Sequence, residues 1–278
     1  MLIENIPEIY KGQEQEIDLF VYDLKMQNDI VNAKVNLTMH MFSFLQVGEK
    51  QVNFPNASLT INSNQSLLIR KGNCIWSELI DKEENYYCRL LFFSEERLKN
   101  FLQKHTQKKN NFKQTSSHFI IENDFYIRSY LSSLSAIIST SQVIMTNLLS
   151  VKFEELLLYL LHKYKKPFEY YLYSLISEEV CPFHKLITQH VYSNLSLEEI
   201  AFLSHMSLST FKRKFFKKYG VTPGKWFKDQ RLQKAKELLI SKNVKPSDIY
   251  LDFGYNNLSN FSIAFKSKFG VNPSEIYN

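Results

Sequence analysis

The stretch SLSTFKRKFFKKYGVTP (Ser207 to Pro223) returns fifty residues later as NLSNFSIAFKSKFGVNP (Asn257 to Pro273). Whatever local structure holds the first copy must therefore be built a second time. Ahead of the first copy, LSLEEIAFLSHMS (Leu195 to Ser207) opens with Ser196 and Glu199 at capping-box spacing, where hydroxyl and carboxylate satisfy otherwise orphan backbone N–H groups. A short helix follows, with Leu197, Ile200, Ala201 and Leu203 available to its inner side. His205-Met206 breaks that pattern, and Ser207 is an N-cap for a second helix on which Phe211, Phe215 and Phe216 fall at i, i+4 and i+5. Helix, tight turn, helix is the format in which the second helix enters the DNA major groove.

The second copy sets Ile249 in the place of Ile200, Phe261 in that of Phe211 and Phe265 in that of Phe215. The offset is 49 before the turn and 50 after it, so the second turn is one residue longer. Gly254 stands where His205 stands; glycine reaches positive φ freely and histidine only occasionally, which makes the second turn the better specified of the two. Between the copies, PGKWFKDQRLQKAKELLI begins with Pro223 and places Trp226, Phe227, Leu232, Ala235, Leu238 and Leu239 at helical spacing. Some ~17 residues of helix extend ~25 Å, against about 34 Å between successive major-groove openings on one face of DNA. A rigid connecting helix is expected to hold two reading helices one turn of DNA apart, so that together they read more bases than either alone.

Charge is distributed to match. From Cys181 onward there are 15 Lys and Arg against 7 Asp and Glu, a net +8, whereas the first 180 residues hold 19 against 21. A polyanion partner is expected for the C-terminal end only, nucleic acid or anionic membrane by charge alone. No segment offers the ~18 uninterrupted apolar residues of a membrane span, and MLIENIPEIY lacks the basic start and apolar run of a signal peptide. Cys74, Cys88 and Cys181 are odd in number and scattered, which suits a reducing cytoplasm and suggests neither a disulfide framework nor a zinc knuckle.

The 278 residues set two domains as the prior, and 44% hydrophobic content suffices for two cores. From Val35 to about Phe93 short alternating runs (VNLTMHMFSFL, SLTI, SLLIR) are separated by turn signals around Gly48, Pro55 and Gly72, which predicts a small β-barrel or sandwich. After Phe93 the period becomes helical: Ser94 precedes a helix with Leu98, Phe101 and Leu102 on one face, and Asn147 to Tyr164 repeats the pattern with Phe153, Leu156, Leu157, Leu160 and Leu161. Lys113 to Ser117 reads as a loop, and Lys165-Lys166-Pro167 as the end of the helical region. The organisation expected is α+β: residues 1–165 a regulatory or dimerisation domain, barrel-like to about 93 and then helical, 166–181 a linker, and 182–278 an all-α tandem helix-turn-helix domain.

Catalysis finds little support. A barrel metal site needs two or three histidines and a carboxylate converging on one ion, and the β region offers only His40. An alkyl-transfer reading needs an activated cysteine; Cys181 near His184 sits at a domain edge and reads as inert, and three cysteines cannot make a four-cysteine zinc cluster. No enzymatic activity, metal or cofactor is expected. The phenylalanines at 211, 215, 216, 261, 265 and 269 have the helical spacing of core residues rather than of base-stacking platforms.

The pattern TP..W....RL..A..LL (Thr222 to Leu239) with I...FGY.N.S.F...FK..FGVNP (Ile249 to Pro273) resembles the AraC-type (AraC/XylS) transcription regulators over Phe183 to Asn278, about a third of the chain. The β half followed by helices is similar, by topology and composition, to that family's cupin-like regulatory barrel with appended helices. The resemblance implies a sequence-specific regulator of double-stranded DNA, cytoplasmic and nucleoid-associated, more often an activator, a homodimer, in contact with RNA polymerase and responsive to a small-molecule or protein effector. Carried over by position, Ser209, Thr210, Lys212 and Arg213 of the first reading helix and Leu258, Ser259 and Ser262 of the second face DNA. Arg213 suits bidentate contact with guanine and Lys212 a phosphate, or Arg213 is taken up by a local carboxylate. Lys214, Lys217, Lys218, Lys225, Lys266 and Lys268 form a phosphate-facing fringe. Ile263 stands where the family is often basic and Tyr250 where it has a small residue, so the second module is expected to read mainly by shape and backbone. A cupin-type metal enzyme joined to a DNA-binding domain is the alternative. The Phe, Tyr and Leu of residues 35–93 either line an apolar effector pocket or fill a closed core.

Overall fold

The computed structural model describes residues 3–10, 18–106, 116–138, 142–177, 181–242 and 244–276. The chain divides into two compact units, Met1–Cys181 and Pro182–Asn278. The first unit carries the strands β1 (Ile3–Ile6), β2 (Leu19–Met26), β3 (Ile30–Leu37), β4 (His40–Val47), β5 (Glu49–Phe54), β6 (Ala57–Asn62), β7 (Gln65–Ile69), β8 (Gly72–Leu79), β9 (Tyr86–Phe93) and β10 (His118–Glu122). Its helices are α1 (Glu95–His105), α2 (Phe125–Ile138) and α3 (Gln142–Leu175).

The strands form two open five-stranded sheets, ordered β1-β3-β8-β5-β6 and β10-β7-β4-β9-β2, rather than one closed barrel. In β5 every second residue is buried, as one-sided packing requires. β4 is different: Met41 and Leu45 meet the opposite sheet while Phe42 and Phe44 meet the helices, so the strand reads as a near-continuous apolar run. Three layers result, sheet on sheet on helices. Between the sheets, Lys50 donates to Glu78 at 2.7 Å and lies 4.2 Å from the Trp76 ring, while Tyr86 donates to the same carboxylate oxygen at 3.0 Å. Burial opposes the Lys50 charge, but Glu78 more than offsets it and holds the lysine pKa above its ordinary value.

β1, β2, the start of β3 and β10, which pairs antiparallel with β7, escape the sequence reading: β1 and β10 have only four and five residues, and the eight residues of β2 are nearly all half-buried, without a clean alternation. The linker expected over 166–181 is corrected. α3 leaves helical geometry at Lys165 (φ 53°, ψ −135°), two residues before Pro167, and then resumes. Phe168, Tyr171, Leu172 and Leu175 follow at helical spacing and pack into the core that holds Phe153, Leu156 and Leu160. Arg70 closes the helix end by donating to the carbonyls of Ser174 and, at 2.9 Å, of Ser177. Residues 178–180 and most of the loop expected at 113–117 lie outside the described residues.

The second unit consists of α4 (Phe183–His190), α5 (Leu197–Leu203), α6 (Leu208–Tyr219), α7 (Pro223–Lys242), α8 (Pro246–Ile249), α9 (Leu258–Phe269) and α10 (Pro273–Ile276). α7 has 20 residues, about 30 Å of helix, and serves two cores. Its Trp226 and Phe227 rings stand 5.6 and 6.0 Å from Phe215 of α6. Leu232, Ala235 and Leu239 join Ile249, Phe253, Phe261 and Phe265. Among the described residues no helix is long and apolar enough to cross a membrane.

Candidate nucleic-acid interface

Ser196 accepts from the Glu199 N–H at 3.2 Å and Glu199 accepts from the Ser196 N–H at 2.7 Å, completing the capping box that starts α5. The helix ends on His205 at φ 54°, in the left-handed region. There the His205 N–H reaches the Phe202 carbonyl and the Met206 N–H the Ala201 carbonyl, each at 3.0 Å. In the second copy Gly254 has φ 79°, its N–H reaches Leu251 at 3.0 Å, and the Tyr255 N–H reaches Tyr250 at 3.2 Å. Both turns close by the same pair of Schellman bonds, so histidine adopts at 205 what glycine adopts at 254. The extra residue of the second turn, Asn256, falls after this closure.

Each second helix then starts on a side-chain cap, Ser207 accepting from the Thr210 N–H at 3.2 Å and Asn257 from the Asn260 N–H at 2.8 Å. Each ends on a left-handed glycine, Gly220 at φ 72° and Gly270 at φ 80°. Phe211 and Phe215 of α6 are fully buried, and so are Phe261 and Phe265 of α9. That phase turns Ser209, Lys212, Arg213 and Lys217 outward on α6. Among the described residues neither Lys212 nor Arg213 has a carboxylate partner. Thr210 is less available, because the Ser207 hydroxyl donates to it at 2.9 Å.

The lysine fringe divides. Lys217, Lys225 and Lys266 are exposed. Lys214 and Lys218 lie 4.8 and 6.0 Å from the Phe183 ring, which leaves their ammonium groups near the surface. Lys268 turns toward α7, bonding the Asp229 carbonyl with its carboxylate 3.7 Å away. Phe216, expected in the core, is 55% exposed, since one residue beyond Phe215 is a rotation of about 100° away from the buried stripe. On α9, Leu258 and Ser259 are exposed and Ser262 half-buried, while Ile263 at 69% exposure holds the middle of the outward face. Ile263 was absent from the residues carried over to DNA; counting helical phase from Phe261 and Phe265 is the signal that finds it.

Arg231 of α7 braces the unit from inside. It donates to the Val191 and Ser193 carbonyls at 3.1 and 2.6 Å, and a Cβ at Gly254 would come within 3.0 Å of it. Burial lowers its pKa below the ordinary arginine value. In the first unit, His40 is enclosed and accepts from the Lys71 N–H at 3.1 Å. Among the described residues no three His, Cys, Asp or Glu side chains come together as a metal site.

Residues 40–169 match a family described as the ExsA N-terminal regulatory domain, and residues 200–278 a helix-turn-helix domain family. The HTH-type transcriptional regulator ExsA of Pseudomonas aeruginosa is 30% identical over 86 residues, 31% of either chain. The virulence regulon transcriptional activator VirF of Yersinia enterocolitica is 29% identical over 91 residues, 33% of this chain and 34% of that one. The XylDLEGF operon transcriptional activator of Pseudomonas putida is 32% identical over 94 residues, 33% of this chain and 29% of its own. These alignments thus span about a third of the curated relatives' length. Among solved structures, apo ToxT of Vibrio cholerae covers 95% of this chain and 98% of its own at 16% identity and a TM-score of 0.44.

Proposed function

The chain belongs to the AraC-type family of transcription regulators, and from that premise we propose that it is a sequence-specific activator that reads double-stranded DNA with Pro182–Asn278. The observation that carries this reading is the repetition: two helix-turn-helix modules close by the same backbone bonds, share α7, and differ in the face they turn outward. On α6 that face is cationic, and among the described residues neither Lys212 nor Arg213 has a carboxylate partner. Arg213, at its centre, is the candidate for bidentate contact with guanine, and Lys212, Lys217, Lys225 and Lys266 hold phosphates. Ser209 and Ser259 open the two helices at equivalent positions and can take a base or a phosphate.

The first unit is assigned the control. Along α3 the residues Leu148, Val151 and Leu158 stay 40, 63 and 43% exposed, at intervals of three and seven residues. That row is a seam on which a second copy can pack helix to helix. An activator further implies contact with RNA polymerase and a cytoplasmic location, with an effector acting through the sheet unit and no enzymatic step.

Selection of bound duplexes from a random pool, with wild type and Arg213→Ala in parallel, tests the reading. An enriched site is expected in which a guanine loses its preference with Arg213→Ala, a change of about 1–3 kcal/mol in discrimination. Binding without enrichment at moderate salt would contradict it.

A further inference from the structure

α6 and α9 are one element built twice, and the fifty-residue offset sets their outward faces side by side. Ser209 corresponds to Ser259, Lys212 to Ser262, Lys217 to Ser267 and Arg213 to Ile263. The buried stripes coincide, Phe211 with Phe261 and Phe215 with Phe265, so the correspondence is structural as well as textual. At the centre of the face, then, α6 carries a guanidinium and α9 a branched aliphatic side chain, 69% exposed.

An aliphatic group there cannot answer the acceptors of guanine or the donor–acceptor pair of adenine. One feature of the major-groove floor is apolar, the 5-methyl group of thymine. We propose that α9 selects its half of the binding site by packing Ile263 against thymine methyl groups, while Ser259 and Ser262 take neighbouring base edges or phosphates. The full site is then asymmetric: one element built on a guanine read by Arg213, the other on thymines read by Ile263. The second module reads by direct apolar contact rather than by shape alone.

This rests on the DNA-reading function proposed above. DNA rather than a protein is the occupant because Ile263 holds the place of Arg213 in the repeat. Its helix also carries Lys266 on the exposed side, within a unit whose net charge of +8 complements a polyanion.

The experiment uses the full chain and the duplex enriched by selection, with each thymine of the α9 element replaced in turn by deoxyuridine. That exchange deletes the methyl group and keeps every hydrogen-bonding atom. Fluorescence anisotropy should show at least one replacement weakening wild-type binding about fourfold, the worth of one methyl group taken from water. Ile263→Ala should weaken binding to the thymine duplex and no longer distinguish thymine from uracil at that position. Its melting temperature should match wild type, because the side chain is mostly exposed. Equal wild-type affinity for both duplexes, with the Arg213-dependent guanine preference intact, would overturn the proposal and leave the function standing. Loss of transcription with Ile263→Ala at unchanged DNA affinity would also overturn it, assigning Ile263 to a protein contact. Absence of any sequence preference, with Arg213→Ala silent, would remove the DNA-reading function and this inference with it.

Discussion

His40 shows how one buried group can make stability depend on pH. Burial is the main cause that lowers its pKa to about 3, with the charges of Lys71 and Arg70 adding to it. Unfolded, the same ring takes its proton near 6.5, so between these values the unfolded chain binds more protons than the folded one. The contribution is fully present above the unfolded pKa and falls as pH drops, by about 1.4 kcal/mol per pH unit. His118, lowered to about 4 by burial, acts in the same sense. Glu95, held at about 2 chiefly by its hydrogen bond from Lys71, loses stability only below the ordinary carboxylate range. Melting curves at about pH 7 and pH 5 should therefore show a loss in wild type that His40→Gln, which keeps an acceptor for the Lys71 N–H, reduces; an equal loss in both would contradict the assignment. At this scale the sequence was most legible where a side chain has one job. Ser94, Ser196 and Ser207 act as caps as read, because capping depends on neighbours within three residues. Phe216 is misplaced when residue type is weighed before helical phase, and Ile263, singled out in the sequence as a departure at a position that is often basic, is by the same phase the centre of the outward face.

At the scale of elements, the two turns set how each second helix leaves the first. Both require a left-handed residue, which glycine accepts at no steric cost and histidine at a cost of about 1–3 kcal/mol. His205→Gly removes that strain but gives the unfolded chain more freedom, worth about 0.4–1 kcal/mol, so a net gain of about 1 kcal/mol is expected. Gly254→Ala acts in the opposite direction, since its Cβ also meets Arg231 at 3.0 Å. Urea denaturation followed by helical circular dichroism distinguishes the two, and a destabilised His205→Gly would mean that the side chain, not the backbone, specifies the turn. α5, α6, α7 and α9 are legible in the sequence because their stripes and caps are local. The sequence breaks α3 at Pro167 only if the proline outweighs the helical spacing of Phe168, Tyr171, Leu172 and Leu175, which carries the stripe past it into the core. The sequence leaves barrel and sandwich both open because sheet closure depends on distant pairing, such as that of β2 with β9 between Leu19 and Phe93 or Met26 and Tyr86.

For the whole molecule, charge and repetition were the most legible features, because neither depends on tertiary contact. The basic surplus after Cys181 falls in the same unit as the two turns, and α7 joins the modules through a core at each end. Two reading helices on one connecting helix should bind as a pair, with Arg213 and Ile263 each answering for one half of the site. Hydroxyl-radical footprinting on the selected duplex tests that claim most directly. Two protected patches on one face of the DNA are expected, about one helical turn apart. Protection of the α6 patch should weaken alone with Arg213→Ala, and of the α9 patch alone with Ile263→Ala. A single patch, or continuous protection that both variants weaken evenly, would contradict it.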